Sequence, residues 1–334
     1  MVALPVFLLV GTAYWASEAA GGVFEASISG TYLLPVRDIF VGAMVGTAVC
    51  LIAYRGAAVE DYVLNHAGFY ALFVAFVPTG LGKLYTRDPQ GWSDLVKSLK
   101  VTTASLVAVG LVFIAVELIA KQWTYPQIFA ALREDGDSPL AVVKKRGLGW
   151  FILGATVAGL VWFAYLLYFR WTNADPGAPI APDDAGLPVT SVFEDVHKWA
   201  TWLLLASLGM AVLLHGFPKQ VGMAPGPPWW QWLCRALFAL MLLGIPASLD
   251  WFTRGSPGDF GLPETHVTII VEWWEVGLFA VFWFVQTLLT WEQAGPFRPL
   301  VQEPSVDSDA NSAGPRMTAG PGPELTAGPD PLSP

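Results

Sequence analysis

Charge is what this sequence has least of. Only 13% of its 334 residues are Asp, Glu, Lys or Arg, about half of the ~25% carried by soluble domains. Such a chain cannot cover a water-facing surface, although it can present one to lipid. Lysine and arginine form no run with interleaved aromatics, which argues against a nucleic-acid partner. Cysteine is nearly absent, and Cys50 and Cys234 both fall inside apolar runs, so no disulfide framework is indicated. CxxC, HExxH and a glycine-rich phosphate loop are missing as well, so no motif names a cofactor or a metal. The formal charge of −9 does not point to a basic partner, because the acids concentrate in Asp175, Asp183, Asp184, Glu194, Asp195 and the tail. They read as solvated loop charge.

What the chain does have is apolar length. Hydrophobic residues make up 54% of it, mean hydropathy is +0.51, and many of its 16 tryptophans stand at the ends of apolar runs. That is the interfacial belt expected where aromatic rings meet headgroups. A membrane helix needs about 20 mostly apolar residues. Eight runs qualify, at 2–20, 35–54, 66–84, 101–120, 148–170, 197–216, 231–249 and 267–290. The expected fold is therefore an all-α, polytopic transmembrane helix bundle of about eight spans over residues 1–293. If the first run is a signal peptide, with Ser17-Glu18-Ala19 as the cleavage site, seven remain. No Lys or Arg precedes that run, which favours a retained span.

Eight spans put both termini on one face. The Lys144-Lys145-Arg146 cluster and the acidic loop 171–195 place that face in the cytoplasm of a cell expected to carry the protein in its plasma (inner) membrane. Both cysteines then lie toward the reducing side. In the loop 121–147, Ile128, Phe129 and Leu132 share one side of a short helix expected to lie on the headgroups. From 294 to 334 the composition turns to Pro, Gly, Ala, Ser and Asp. Such a segment buries too little to offset its ordering entropy, so a disordered cytoplasmic tail is expected.

Ionisable groups in or near spans are the best functional pointers, because each costs about 2.5–3.5 kcal/mol at the bilayer centre. One group meets the extracytoplasmic interface: Glu18, Arg37, Asp38, His197, Asp250, His266, Glu272 and Glu275. Two readings of it stay open. Asp38, His197, His266 and Glu272 are ligand types that suit zinc or a polarised water, whereas Arg37 pairing with Glu272 or Asp38 would be purely structural. A second group lies on the cytoplasmic side: Arg55, Glu60, Asp61, Asn65, His66, Glu117, His215 and Glu292. Glu60-Asp61 also fits an acidic helix N-terminus. Glu117 fits either an i,i+4 pair with Lys121 or a proton relay. The spacings Gly42-xxx-Gly46 and Gly154-xxxx-Gly159 allow close helix approach, within the bundle or in a homo-oligomer.

The stretch Ser27-Ile28-Ser29-x-x-Tyr32, followed by Pro35-Val36-Arg37-Asp38-Ile39-Phe40-Val41-Gly42, resembles a family of multi-span bacterial membrane proteins of actinobacterial type. The likeness runs through Cys50–Gly56, Glu60-Asp61 and Leu64-Asn65-x-Ala67-Gly68 to Val77-Pro78-Thr79. It returns at Val196-His197, at Glu272 and over Phe279–Thr287. It implies a fold of about eight helices and no activity, and it singles out Arg37, Asp38, Asp61, Asn65, His197 and Glu272. A fainter similarity to membrane hydrolases rests on scattered His, Asp and Glu without their paired-histidine motif. Three functions follow as expectations: a structural or interaction protein, a small-molecule, ion or lipid transporter, and a metal-dependent or lipid-modifying hydrolase. The lipid bilayer is the one partner the composition requires.

Overall fold

The computed structural model describes residues 3–18, 28–29, 36–78, 92–119, 124–133, 137–173, 191–248 and 267–294. All regular structure among them is helical. Ten α-helices run α1 (Ala3–Glu18), α2 (Arg37–Ala53), α3 (Ala58–Phe76), α4 (Trp92–Ile119), α5 (Thr124–Leu132), α6 (Pro139–Lys145), α7 (Gly147–Asn173), α8 (Ser191–Gly216), α9 (Pro228–Ser248) and α10 (Val267–Ala294). A 3-10 turn, Pro218–Val221, joins α8 to the approach to α9. Residues Met1–Thr287 form one compact unit. The tail expected from 294 onward lies outside the described residues.

Each of the eight apolar runs falls on a helix, and four helices are long and apolar enough to cross a membrane: Ser93–Val116 in α4, Gly147–Asn173, Val196–Gly216 in α8 and Ile269–Thr290 in α10. Helices α1 and α2, with 16 and 17 residues, are shorter than the ~20 a crossing uses. Helix α3 carries Glu60 and Asp61 in its first turn. It nevertheless sits at the centre, packed on α2 and α8 and touching α4, α5 and α7. Its side chains from Val59 to Val77 are buried on most sides, with Tyr70, Phe73 and Phe163 meeting edge to face at 5.0–5.3 Å.

Helix α4 is the opposite case. Only 17% of its apolar window is buried, against 50% for α8, and Val101, Leu111, Val112, Phe113 and Ile114 are each more than half exposed. Helix α10 joins the bundle through large side chains: Trp230 stacks on Phe282 at 5.5 Å, Tyr54 meets Trp283 at 5.0 Å, and Trp274 Nε1 donates to the Leu240 carbonyl at 3.1 Å.

The short helix α5 exists, and Ile128 and Leu132 are fully buried in the bundle. Phe129, expected on the same side, is instead 44% exposed and packs on Trp150 at 5.1 Å. One side of α5 therefore belongs to the core and the other faces outward. Of the glycines singled out by spacing, Gly159 makes a close approach, to Leu203, whereas Gly42 and Gly154 have open space where a Cβ would sit. Gly68, which no spacing marked, is as close to Ala48 and Ile52. Small residues recur in apolar helices, and spacing alone does not say which copies face a neighbour.

Candidate functional site

The densest polar arrangement forms where α2 turns into α3. Helix α2 ends at Ala53 and Tyr54 is extended, so the chain reverses through Arg55-Gly56-Ala57. The Arg55 guanidinium donates to the Ile52 and Tyr54 carbonyls at 3.3 and 3.2 Å, where the helix dipole favours a cation. Gly56 is required by proximity: a Cβ there would lie 2.5 Å from Glu60 Oε2 and 2.8 Å from the Tyr54 ring. Its N–H donates to Asp61 Oδ1. The Asp61 carboxylate thus ties down the entry to α3.

Glu60, one residue earlier, points the other way. It is 2% exposed and accepts from His215 Nε2 of α8 at 2.8 Å. The Tyr54 hydroxyl meets both Glu60 and the Gln286 amide of α10. Four segments, 54–56, α3, α8 and α10, therefore converge on one carboxylate. The His215 ring is walled by Phe282 at 5.4 Å and Trp230 at 6.0 Å. One turn further along α3, His66 Nδ1 bonds the Tyr62 carbonyl at 2.8 Å and its ring tilts against Tyr62 at 4.3 Å. Asn65 Oδ1 and the Tyr70 hydroxyl are buried without a hydrogen-bond partner.

Burial holds the Asp61 carboxyl above its usual range, opposed by the Gly56 N–H and by Arg55. A carboxyl raised in the folded state binds more protons folded than unfolded, so it lowers stability as pH rises from the ordinary aspartate range through its folded-state value. Asp61→Asn keeps an acceptor for Gly56 and removes that slope. In detergent it should melt at or above the native temperature at pH 7, with the two proteins converging below about pH 4. Thermal scans across pH test this, and an unchanged slope in the variant would contradict it.

At the other end of α3, the residues expected to form the first polar group are spread out. His197, 3% exposed, directs Nδ1 to the Val77 carbonyl that closes α3. Glu272 accepts the Ile28 N–H from the segment before α2. Glu275, buried on the next turn of α10, lies against Gly244 of α9. Arg37 and Asp38 open α2 with exposed side chains. Among the described residues, no three His, Cys, Asp or Glu side chains lie together so as to hold a metal ion, and Asp38, His197 and Glu272 are all described. The Glu117 side chain, Asp250 and His266 lie outside the described residues.

At the α2–α3 turn, Asp61 lies beside Glu60. The sequence singled out Asp61 and Asn65 there, and their neighbours Glu60 and His215 prove to be the paired groups. Gln286 is the member with no sequence signal at all, since a lone glutamine in an apolar run marks nothing until its neighbours are known. No protein-family model, curated protein or solved structure matches the chain. The family likeness over residues 27–79 therefore assigns no role, and the site stands on its geometry.

Proposed function

We propose that this is an integral membrane protein of about eight spans with both termini in the cytoplasm, and that it serves the plasma membrane as a structural or interaction protein. One observation supports the reading most. Helix α8 is tied to α3 at both ends, by His215 to Glu60 and by His197 to the Val77 carbonyl. These ties lie about 26 Å apart along α3 and about 27 Å along α8 at 1.5 Å per residue. That separation approximates the ~30 Å of hydrocarbon in a bilayer, so two antiparallel helices would be pinned where each leaves the apolar layer. Polar groups used this way are satisfied by the bundle itself, as backbone and side chains in lipid must be.

The topology is tested by reporter fusions after residue 293. A fluorescent protein should light up there and alkaline phosphatase should stay inactive; the reverse pattern would invert the topology. Transport is the second reading, and its support is the pair of unpartnered buried atoms on α3, Asn65 Oδ1 and the Tyr70 hydroxyl. Proteoliposomes carrying a pH-sensitive dye separate the two. The structural role predicts proton flux no faster than in empty vesicles. Flux that Glu60→Gln abolishes would replace that role with proton transport.

A further inference from the structure

Between α4 and α7 lies an open groove of about 420 Å³, within the ~300–1,000 Å³ range of small-molecule sites. Thr103, Ala104, Val107, Ala108 and Leu111 form one wall, and Ala164, Leu167, Tyr168 and Trp171 the other. Alanines at 104, 108 and 164 leave the space, since larger side chains there would close it. The walls are almost wholly apolar, and in the bundle proposed above the groove opens to the bilayer.

Two features make it more than a gap that any lipid tail would fill. The first is Thr103. Thr12, Ser105, Thr156, Thr172, Thr201 and Thr287 all turn their hydroxyls back onto a carbonyl of their own helix, the usual resort of a hydroxyl in an apolar helix. Thr103 lines the groove, is 2% exposed, and has no hydrogen-bond partner. A buried hydroxyl without a partner is costly, and an ester carbonyl in the groove would accept from it.

The second feature is charge at one end. Lys100 precedes Thr103 by three residues and Ala104 by four on α4, so it lies on the groove side of its helix. In the eight-span arrangement the start of α4 and the end of α7 share a membrane face. Lys97, one turn further out, is engaged with the exposed Asp94 at 3.1 Å. Trp171 and Tyr168 stand at the same end, where amphipathic rings occupy the headgroup level.

We propose that this groove binds one anionic glycerophospholipid, its acyl chain along the alanine-lined floor, an ester carbonyl at the Thr103 hydroxyl and its headgroup phosphate at the Lys100 ammonium. The inference rests on the membrane reading, which fails separately if alkaline carbonate strips the protein from membranes.

The test is native mass spectrometry of the full chain released from nanodiscs of equimolar phosphatidylglycerol and phosphatidylethanolamine. One phosphatidylglycerol should be retained in preference, with a cation near the headgroup contributing about fivefold. Lys100→Gln should reduce that preference by about that factor. Ala108→Phe should fill the groove and abolish retention. Ala164→Leu does the same from the opposite wall should the first variant fold poorly. Phe151→Leu, on an exposed part of α7 more than three turns before Ala164, should leave retention unchanged. Equal retention of the two lipids, or retention that survives both groove-filling variants, would overturn the proposal. So would a dimer that Ala108→Phe breaks apart, since a second copy would then be the occupant.

Discussion

Replacing Glu60 with Ala should cost the bundle about 1–3 kcal/mol, the penalty of leaving a buried hydrogen-bonding group without its partner. The carboxylate is the point where His215 and Tyr54 meet. Its loss strands the imidazole between Phe282 and Trp230, where no water replaces the missing acceptor. It also frees the Tyr54 hydroxyl in the same space. Reversible unfolding in mixed micelles, followed by tryptophan fluorescence, gives the number. A double-mutant cycle isolates the pair. His215→Gln alone should be nearly as damaging, and the combination with Glu60→Gln, in which two amides can still bond, should recover part of the loss through a coupling of about 0.5–3 kcal/mol. Strict additivity would mean that the two groups are adjacent without being coupled.

That pair shows where the sequence is legible and where it is not. Apolar length reads directly, because ~20 apolar residues have few alternatives to a helix in lipid; every run found that way overlaps a helix, and four of those helices are long and apolar enough to cross a membrane. Ends read badly when charge is the only marker. Helix α4 begins at Trp92 rather than near 101, since Asp94 and Lys97 satisfy each other at 3.1 Å on an exposed turn and so extend the helix outward instead of ending it. Helix α3 begins at Ala58, eight residues before its apolar run, with Glu60 and Asp61 in the first turn as an acidic helix N-terminus would have them, and Glu60 has a buried partner besides.

Partner choice was the part least accessible. Glu60 and His215 are 155 residues apart, and nothing in either neighbourhood names the other. His197 groups in the sequence with Asp38, His266 and Glu272 because all four are ligand types that suit zinc, beside a structural reading of the same group. The structure gives it a carbonyl to hold, at the end of the helix whose other end holds His215. A histidine on each end of one helix, facing the same neighbour, is a pattern that could have been sought. It requires knowing that α3 and α8 are neighbours, and in a bundle whose every face is apolar, periodicity cannot supply that.

Gly68→Val should be the most damaging single substitution at the α2–α3 contact. A Cβ at 68 would lie 2.6 Å from Ile52 Cγ1 and 2.9 Å from the Ala48 carbonyl oxygen. Overpacking of this kind usually costs about 1–3 kcal/mol, as side chains leave their rotamers and backbone shifts. Here the upper end is expected, because one of the two obstacles is backbone and cannot rotate away. The separation of the obstacles is itself testable. Gly68→Ala with Ile52→Ala removes the side-chain clash and leaves the carbonyl, so it should recover part of the Gly68→Ala loss but not all of it. Gly42→Ala, on the opposite extreme, meets nothing within 4 Å and should be neutral or slightly stabilising, since alanine is the better helix former by about 0.8–1.0 kcal/mol. Complete rescue by Ile52→Ala would show that α2 can slide relative to α3. In that case the Gly56 turn, which fixes the two helices to each other beside Glu60, would have to give as well.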